Sequence, residues 1–355
     1  MRVMTSLRSA ALFVGCFLFA TYGIGVGGRL LLPPPEVGEL TGKIHAFERD
    51  APDADTIAIG SSRMLHGFDP AVFDSVSAES GCPGESYNLG ISGLNLIELR
   101  YVLRRLASDH PARLRRVVFD PPNDIHVQFE NLKSQRIWVT TDPREVRLAI
   151  ADILSHPDPR KYSSLLRYLV AFAYHNSSLG LVGRYLQDVV LPPAEPGEEL
   201  DGYAPLDPGQ APSLERAALL RQSDQFSHLA SNLRSEAAEQ APGAPIDAVQ
   251  AQRRVAVMLS TTGFIRSLGY QPVLLDLPDT YGESITDARG LAAQMPRAVP
   301  VVNLMGKEDA AIIYDPAAWY DWGHVNDATA RYVSGAAARR LCHGQASASA
   351  ANGAG

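Results

Sequence analysis

Cysteine is scarce in this chain: there are three in 355 residues, Cys16, Cys82 and Cys342. None stands in a Cys-x-x-Cys pair or at a spacing that metal ligation uses, so neither a metal nor another cofactor is expected. Cys82 and Cys342 either pair in an oxidising compartment or remain buried thiols, and sequence separation does not decide between the two. Basic clusters are lacking as well. There are 32 Lys and Arg against 39 Asp and Glu, a formal net charge of -7, and the isoelectric point is about 5.7. The basic residues are dispersed, which excludes the phosphate-tracking face a nucleic-acid partner needs. Internal repeats are absent, so no solenoid is expected.

Charge is also missing locally. From Ser9 to Gly28 the chain carries no Asp, Glu, Lys or Arg, while Arg2 and Arg8 precede the run. About 20 apolar residues suffice to cross a bilayer as a helix, and positive residues before a span favour keeping that end in the cytoplasm. Residues 9–32 are therefore expected to anchor the chain in the inner (cytoplasmic) membrane by a single pass. The remainder would face the periplasm or the extracellular side. A cleaved signal peptide is the alternative, but Gly27-Gly28-Arg29-Leu30-Leu31-Leu32 offers no small-x-small cleavage site.

What is present is an alternation of short β-branched runs with helical periodicity. Residues 55–60, 87–91, 116–120, 272–276 and 299–303 read as buried strands. Leu96, Leu99, Leu103 and Leu106 mark one face of a helix over 94–106, and further helices are expected over 249–268, near 287–295 and over 327–341. Strands separated by helices predict an α/β fold, a three-layer α/β/α domain with a central parallel sheet over 50–342. Between about 125 and 248 the alternation stops, and amphipathic stretches predict a mostly helical insertion. The Ala/Ser/Gly-rich tail, 345–355, is expected to be disordered.

In an open parallel sheet, sites gather at the carboxyl ends of the strands. Four such ends carry residues suited to acyl transfer. Gly60-Ser61-Ser62-Arg63 puts a serine at a sharp strand-to-helix turn, where an N-cap is the commoner use of serine. Asn88-Leu89-Gly90-Ile91-Ser92-Gly93 ends in a glycine whose N–H can approach an oxyanion. Pro121-Pro122-Asn123-Asp124 offers a side-chain amide, although such residues are common in plain turns. Tyr320-Asp321-Trp322-Gly323-His324-Val325-Asn326 precedes the last helix and supplies an imidazole base with a carboxylate to orient it. His66 is expected on the outward face of the helix after Ser62, Arg63 in a salt bridge within the fold, and Trp322 in packing. Asp120 and Asp276, at strand ends, suit site-lining and capping equally.

Taken together and in this order, the four segments resemble the blocks of the SGNH/GDSL hydrolase superfamily, over most of residues 55–341. Gly60-Ser61-Ser62 is similar to its Gly-Asp-Ser block, and Asp321-x-x-His324-x-Asn326 to its Asp-x-x-His-x-Asn block. The resemblance implies a flavodoxin-like sheet and a catalytic triad of Ser62, Asp321 and His324. It also implies an oxyanion hole formed by the Ser62 and Gly93 N–H groups and the Asn123 amide. Ser61 stands where the superfamily has aspartate, and Pro122 where it has glycine. The Gly-Ser-Ser start, the N-terminal anchor and the insertion look closer to a membrane-tethered subgroup. Its members act in D-alanylation of teichoic acids or O-acetylation of exopolysaccharides, alongside membrane-bound O-acyltransferases. The implied function is serine-dependent acyl transfer or ester hydrolysis on a cell-envelope polysaccharide. The alternatives are a small-ester or lipid esterase, and a non-catalytic envelope protein that binds glycan or the acyltransferase.

Overall fold

The computed structural model describes parts of 9–27 and residues 37–109, 113–121, 136–155, 159–176, 201–206, 224–238, 249–278, 293–296, 299–304 and 306–352. The chain divides into two compact units, residues 1–42 with 125–196, and residues 43–124 with 197–355.

The elements, in chain order, begin with α1 (Glu39–Asp50), β1 (Thr56–Gly60), α2 (Ser62–Gly67), α3 (Pro70–Glu79), β2 (Ser86–Gly90), α4 (Leu96–Asp109) and β3 (Arg116–Phe119). Next come α5 (Ile137–Thr140), α6 (Val146–Ser155), α7 (Lys161–Asn176), α8 (Asp224–Ala238) and α9 (Val249–Ser267). The chain closes with β4 (Gln271–Asp276), β5 (Val301–Asn303), α10 (Lys307–Ile313) and α11 (Asp327–Asn352).

All five strands lie in the second unit and form one parallel sheet of order β2-β1-β3-β4-β5. Every residue of β1 and β2 is buried, as are the last three of β3. This is the pattern of a parallel sheet covered on both faces, and it explains why these strands read as continuous apolar runs. Helices α4 and α9 pack together, with α9 also against β4; α2, α3 and α11 form a second group, with α3 against β2 and α11 against β5. Two helix groups about one sheet are consistent with three layers. Helix α4 starts with a reciprocal cap: Asn95 N–H donates to Glu98 Oε2 at 3.1 Å and Glu98 N–H to Asn95 Oδ1 at 3.1 Å.

In this order the neighbouring strands β1 and β3 flank a reversal of direction across the sheet. Such a switch point opens a crevice beyond the strands' carboxyl ends. Ser62 follows β1 directly, so the fold delivers it to that crevice.

The structure adds to several expectations. Of the described residues in the expected insertion, 136–155 and 159–176 fall in the first unit, and 201–206 and α8 in the sheet unit. Phe226 and Leu233 of α8 are buried in the same apolar cluster as Val302, Trp319 and Val333, which ties this part to the sheet unit. Amphipathic periodicity identifies helices but does not say which core they join. The polar-looking stretch before β1 folds as α1 because Leu40, Ile44 and Phe47, spaced four and three apart, are all buried. The tail is not wholly irregular, since α11 continues to Asn352. Its alanines have the highest helix propensity of any residue and extend a helix already nucleated upstream. The strand expected over 299–303 is confined to Val301–Asn303, while the helix expected near 287–295 lies almost entirely outside the described residues.

Part of the expected anchor, 9–32, also lies outside the described residues. Among those described, no helix is long and apolar enough to cross a membrane. Residues 12–17 are helical, and Leu12, Phe13, Val14 and Phe17 expose 71%, 73%, 53% and 61% of their surface, an unusual state for consecutive large apolar side chains.

Cys82 and Cys342 form a disulfide with Cα atoms 6.0 Å apart, joining the segment after α3 to α11. This decides the question the sequence left open. Its removal is expected to destabilise the sheet unit by about 2–5 kcal/mol.

Candidate active site

Ser61 and Ser62 divide two tasks. Ser61 has extended backbone and caps α2, its side chain accepting from Arg63 N–H at 3.4 Å. Ser62 is the first helical residue, so its hydroxyl is not committed to the cap. The first N–H groups of a helix have no partner within it, and this includes that of Ser62.

The opposite partner comes from 262 residues further along. His324 Nε2 lies 2.8 Å from Ser62 Oγ. On the other side of the ring, Nδ1 lies 2.8 and 3.0 Å from the two Asp321 carboxylate oxygens. A carboxylate only accepts, so Nδ1 carries the proton and Nε2 presents its lone pair to the serine hydroxyl. Backbone N–H groups of Gly323 and His324 also donate to Asp321 Oδ1, at 2.8 and 2.9 Å. Burial pushes the Asp321 carboxyl up, but the hydrogen bond and charge of His324 and the two backbone donors outweigh it. The net shift is downward, which keeps the group ionised.

The loop that carries both groups is held at its base. Trp319 is fully buried and donates its indole N–H to Ile313 O at 2.7 Å. An antiparallel bridge joins Trp319 to Val325, and Tyr320 N–H donates to His324 O at 2.9 Å. Asn326 caps α11, its Oδ1 accepting from Thr329 N–H at 3.0 Å. The Asp-x-x-His-x-Asn spacing therefore encodes a closed loop followed by a helix cap. Trp322 packs against the core, its ring 5.6 Å from that of Phe226.

Asn88 has a role the sequence did not suggest. Completely buried in β2, it donates through Nδ2 to Phe68 O at 2.6 Å and Met64 O at 2.8 Å, and accepts from Gly90 N–H at 2.7 Å. It thus satisfies carbonyls at the C-terminal end of α2 and locks that helix to the sheet. Gly93 lies in the turn after β2 with φ of 62°, a left-handed conformation suited to glycine. Because β1 and β2 pair in register at Gly60 and Gly90, and Ile91 N–H donates to Gly60 O at 3.0 Å, this turn adjoins the one that carries Ser62. Asn123 lies outside the described residues. Among the described residues, no group of His, Cys, Asp or Glu is placed to hold a metal ion.

Arg63 pairs with Asp120 through Nη2, at 2.9 Å to Oδ2 and 3.1 Å to Oδ1, and Nη1 donates to Leu277 O at 3.4 Å. Asp120 is completely buried and Arg63 is 9% exposed. Removing one partner of such a pair strands a buried charge. Arg63→Met is expected to destabilise the protein by about 3–5 kcal/mol, and the double change Arg63→Met/Asp120→Leu to recover most of that. Urea denaturation of the two variants checks it; equal losses in both would mean that stranded charge is not the cause.

His66 is on α2 as expected, but it does not face outward. Its ring is edge-on to that of His324, with centroids 5.2 Å apart and planes at 90°, and its Nδ1 lies 2.6 Å from Ala204 O. The six-residue helix is too short for periodicity to assign a face, which is why the sequence misplaced it.

Comparison with family models, with curated proteins and with solved structures found no match.

Proposed function

We propose that the chain is a membrane-anchored serine acyl hydrolase or acyltransferase of the SGNH type. The reading rests above all on the 2.8 Å contact between Ser62 Oγ and His324 Nε2, made with the imidazole already oriented by Asp321. Two groups so distant in sequence have no local reason to meet. A nucleophile, its base and an orienting carboxylate at the end of a sheet are the parts acyl transfer requires.

In the proposed mechanism His324 takes the proton from Ser62 as its oxygen attacks an ester carbonyl. The backbone N–H groups of Ser62 and Gly93, with the Asn123 amide, stabilise the resulting oxyanion. The carbon–oxygen bond to the leaving alcohol then breaks, and His324 returns the proton to that alcohol. An acceptor hydroxyl next attacks the acyl-serine, giving its proton to His324, which passes it to Ser62 as the ester is released. With water as acceptor the outcome is hydrolysis; with a sugar hydroxyl it is transfer. Each lost oxyanion donor is expected to raise the barrier by about 3 kcal/mol.

The disulfide suits an oxidising, exported setting, and the exposed apolar residues 12–17 suit a lipid environment. Both favour a substrate in the cell envelope, with a small acyl group such as acetyl moved onto or off a polysaccharide. A membrane-bound O-acyltransferase is the fitting donor-side partner. The test is labelling of the full-length chain in detergent with a fluorophosphonate, the modified residue being mapped by mass spectrometry, alongside turnover of p-nitrophenyl acetate. A single adduct on Ser62 is expected; an adduct on Ser61, or none together with no turnover, would sink the reading.

A further inference from the structure

Residues 201–206 contain no periodic apolar pattern, yet they make ordered contacts with residues of four elements, α1, β2, α2 and α11. On β2, Asn88 N–H donates to Asp201 O at 2.9 Å, which satisfies a donor on the outer edge of the sheet. The buried ammonium of Lys43 donates to Gly202 O at 2.6 Å. On α2, Ala204 N–H donates to Leu65 O at 3.2 Å, and His66 Nδ1–H donates to Ala204 O at 2.6 Å. At α11, Tyr203 Oη donates to Asp327 Oδ1 at 3.0 Å, and Asp327 N–H donates to Leu206 O at 3.2 Å.

The segment therefore joins α2, which carries Ser62, to α11, which follows the loop of His324. Ser62 begins α2, and His324 lies three residues before α11. His66 connects the segment to the site, anchored by one nitrogen and packed edge-on against His324. Since a carbonyl only accepts, the Ala204 contact also fixes the His66 tautomer, with the proton on Nδ1.

We infer that residues 201–206 form a positioning strap, which acts through His66 to hold the His324 imidazole in register with Ser62. This rests on the proposal that Ser62 and His324 are the reacting pair. His66 is a positioning residue, not a catalytic one. Gly202 sets the path of the strap: its φ is 78°, and a Cβ there would run into Asn88 O and the Tyr87 ring. Any larger residue must displace the strap from β2.

The test uses the full-length chain in detergent, measuring kcat and KM for p-nitrophenyl acetate and the rate of fluorophosphonate labelling at Ser62. His66→Asn keeps a donor near the Nδ1 position but removes the ring that supports His324. It should lower kcat and the labelling rate about tenfold with KM unchanged, since small misplacements of a catalytic group carry losses of that order or more. His66→Phe keeps an aromatic edge but cannot donate to Ala204 O, so the strap no longer holds the ring and a loss similar to that of His66→Asn is expected. Gly202→Ala should lower kcat alone but add little to His66→Asn, because both act through one contact. Should Gly202→Ala fail to fold, the two His66 variants still decide the matter.

Parent-like kcat and labelling in His66→Asn would overturn the inference, as would a change confined to KM. So would parent-like kcat and labelling in His66→Phe, which would mean that the ring alone suffices without the strap. If Ser62 of the parent protein is labelled while any of these results is obtained, only the strap is refuted. If Ser62 of the parent is never labelled, the underlying functional reading falls with it.

Discussion

Ser62→Ala is expected to lower turnover of p-nitrophenyl acetate on the order of a millionfold and to abolish fluorophosphonate labelling. Removing the nucleophile eliminates the covalent route, and the base and the oxyanion donors cannot replace it. A residual rate above that of water should remain, on the order of 10³-fold, from the donors and binding alone. Stability should change little, because the Ser62 hydroxyl bonds to His324 and the α2 cap belongs to Ser61. Ser61→Ala is the informative contrast: it should lose about 1 kcal/mol of stability through the missing cap, yet keep its turnover. Activity within about tenfold of the parent in Ser62→Ala would exclude a serine-centred mechanism.

Asp321→Asn should reduce turnover on the order of 10⁴-fold while leaving the fold intact. The asparagine oxygen can still accept from the Gly323 and His324 N–H groups, as Asp321 Oδ1 does. Its amide would then face His324 Nδ1 as a donor. That favours the tautomer with the proton on Nε2, directed at Ser62, where it cannot accept the serine proton. The change also has a pH signature. Asp321 has its carboxyl held below the ordinary carboxylate value, the opposing effect of burial being outweighed by its donors. A group whose folded pKa is lowered contributes stability that is present above its unfolded pKa and lost as pH falls through the folded value. Parent and Asp321→Asn should therefore differ most in unfolding midpoint near neutrality and converge in acid, below the ordinary carboxylate range. Turnover in Asp321→Asn equal to that of the parent would sink the proposed role of the carboxylate.

The readable parts of the sheet share a physical cause. Strands such as Thr56–Gly60 and Gln271–Asp276 are buried on both faces over most of their length. Their apolar runs therefore stand out against any flanking segment, and their ends fall where glycine, proline or aspartate interrupts them. The helix from Leu96 was visible because its leucines recur at helical spacing. Helix α1 carried the same signal in Leu40, Ile44 and Phe47, but a threonine and a glycine among polar neighbours obscured it.

The site was legible only as four separate turns, of which all but Tyr320–Asn326 were more ordinary than catalytic on their own. Their order suggested a triad, but proximity between Ser62 and His324 is a property of the 2-1-3-4-5 sheet, not of either segment. Asn88 was visible as part of a block, yet its task of satisfying α2 carbonyls could not be seen, because those acceptors are 20 to 24 residues away.

By itself, then, the amino-acid order determined the alternation of strand and helix, the acidic balance with dispersed basic residues, and which side chains had chemistry to offer. These follow from local periodicity and composition, which each segment carries within itself. Only the tertiary structure decided that Cys82 meets Cys342, that residues 201–206 and α8 join the sheet unit, and that His66 turns toward His324. Each of those depends on packing between segments far apart along the chain, where the geometry of the whole core, and no local preference, selects the partner.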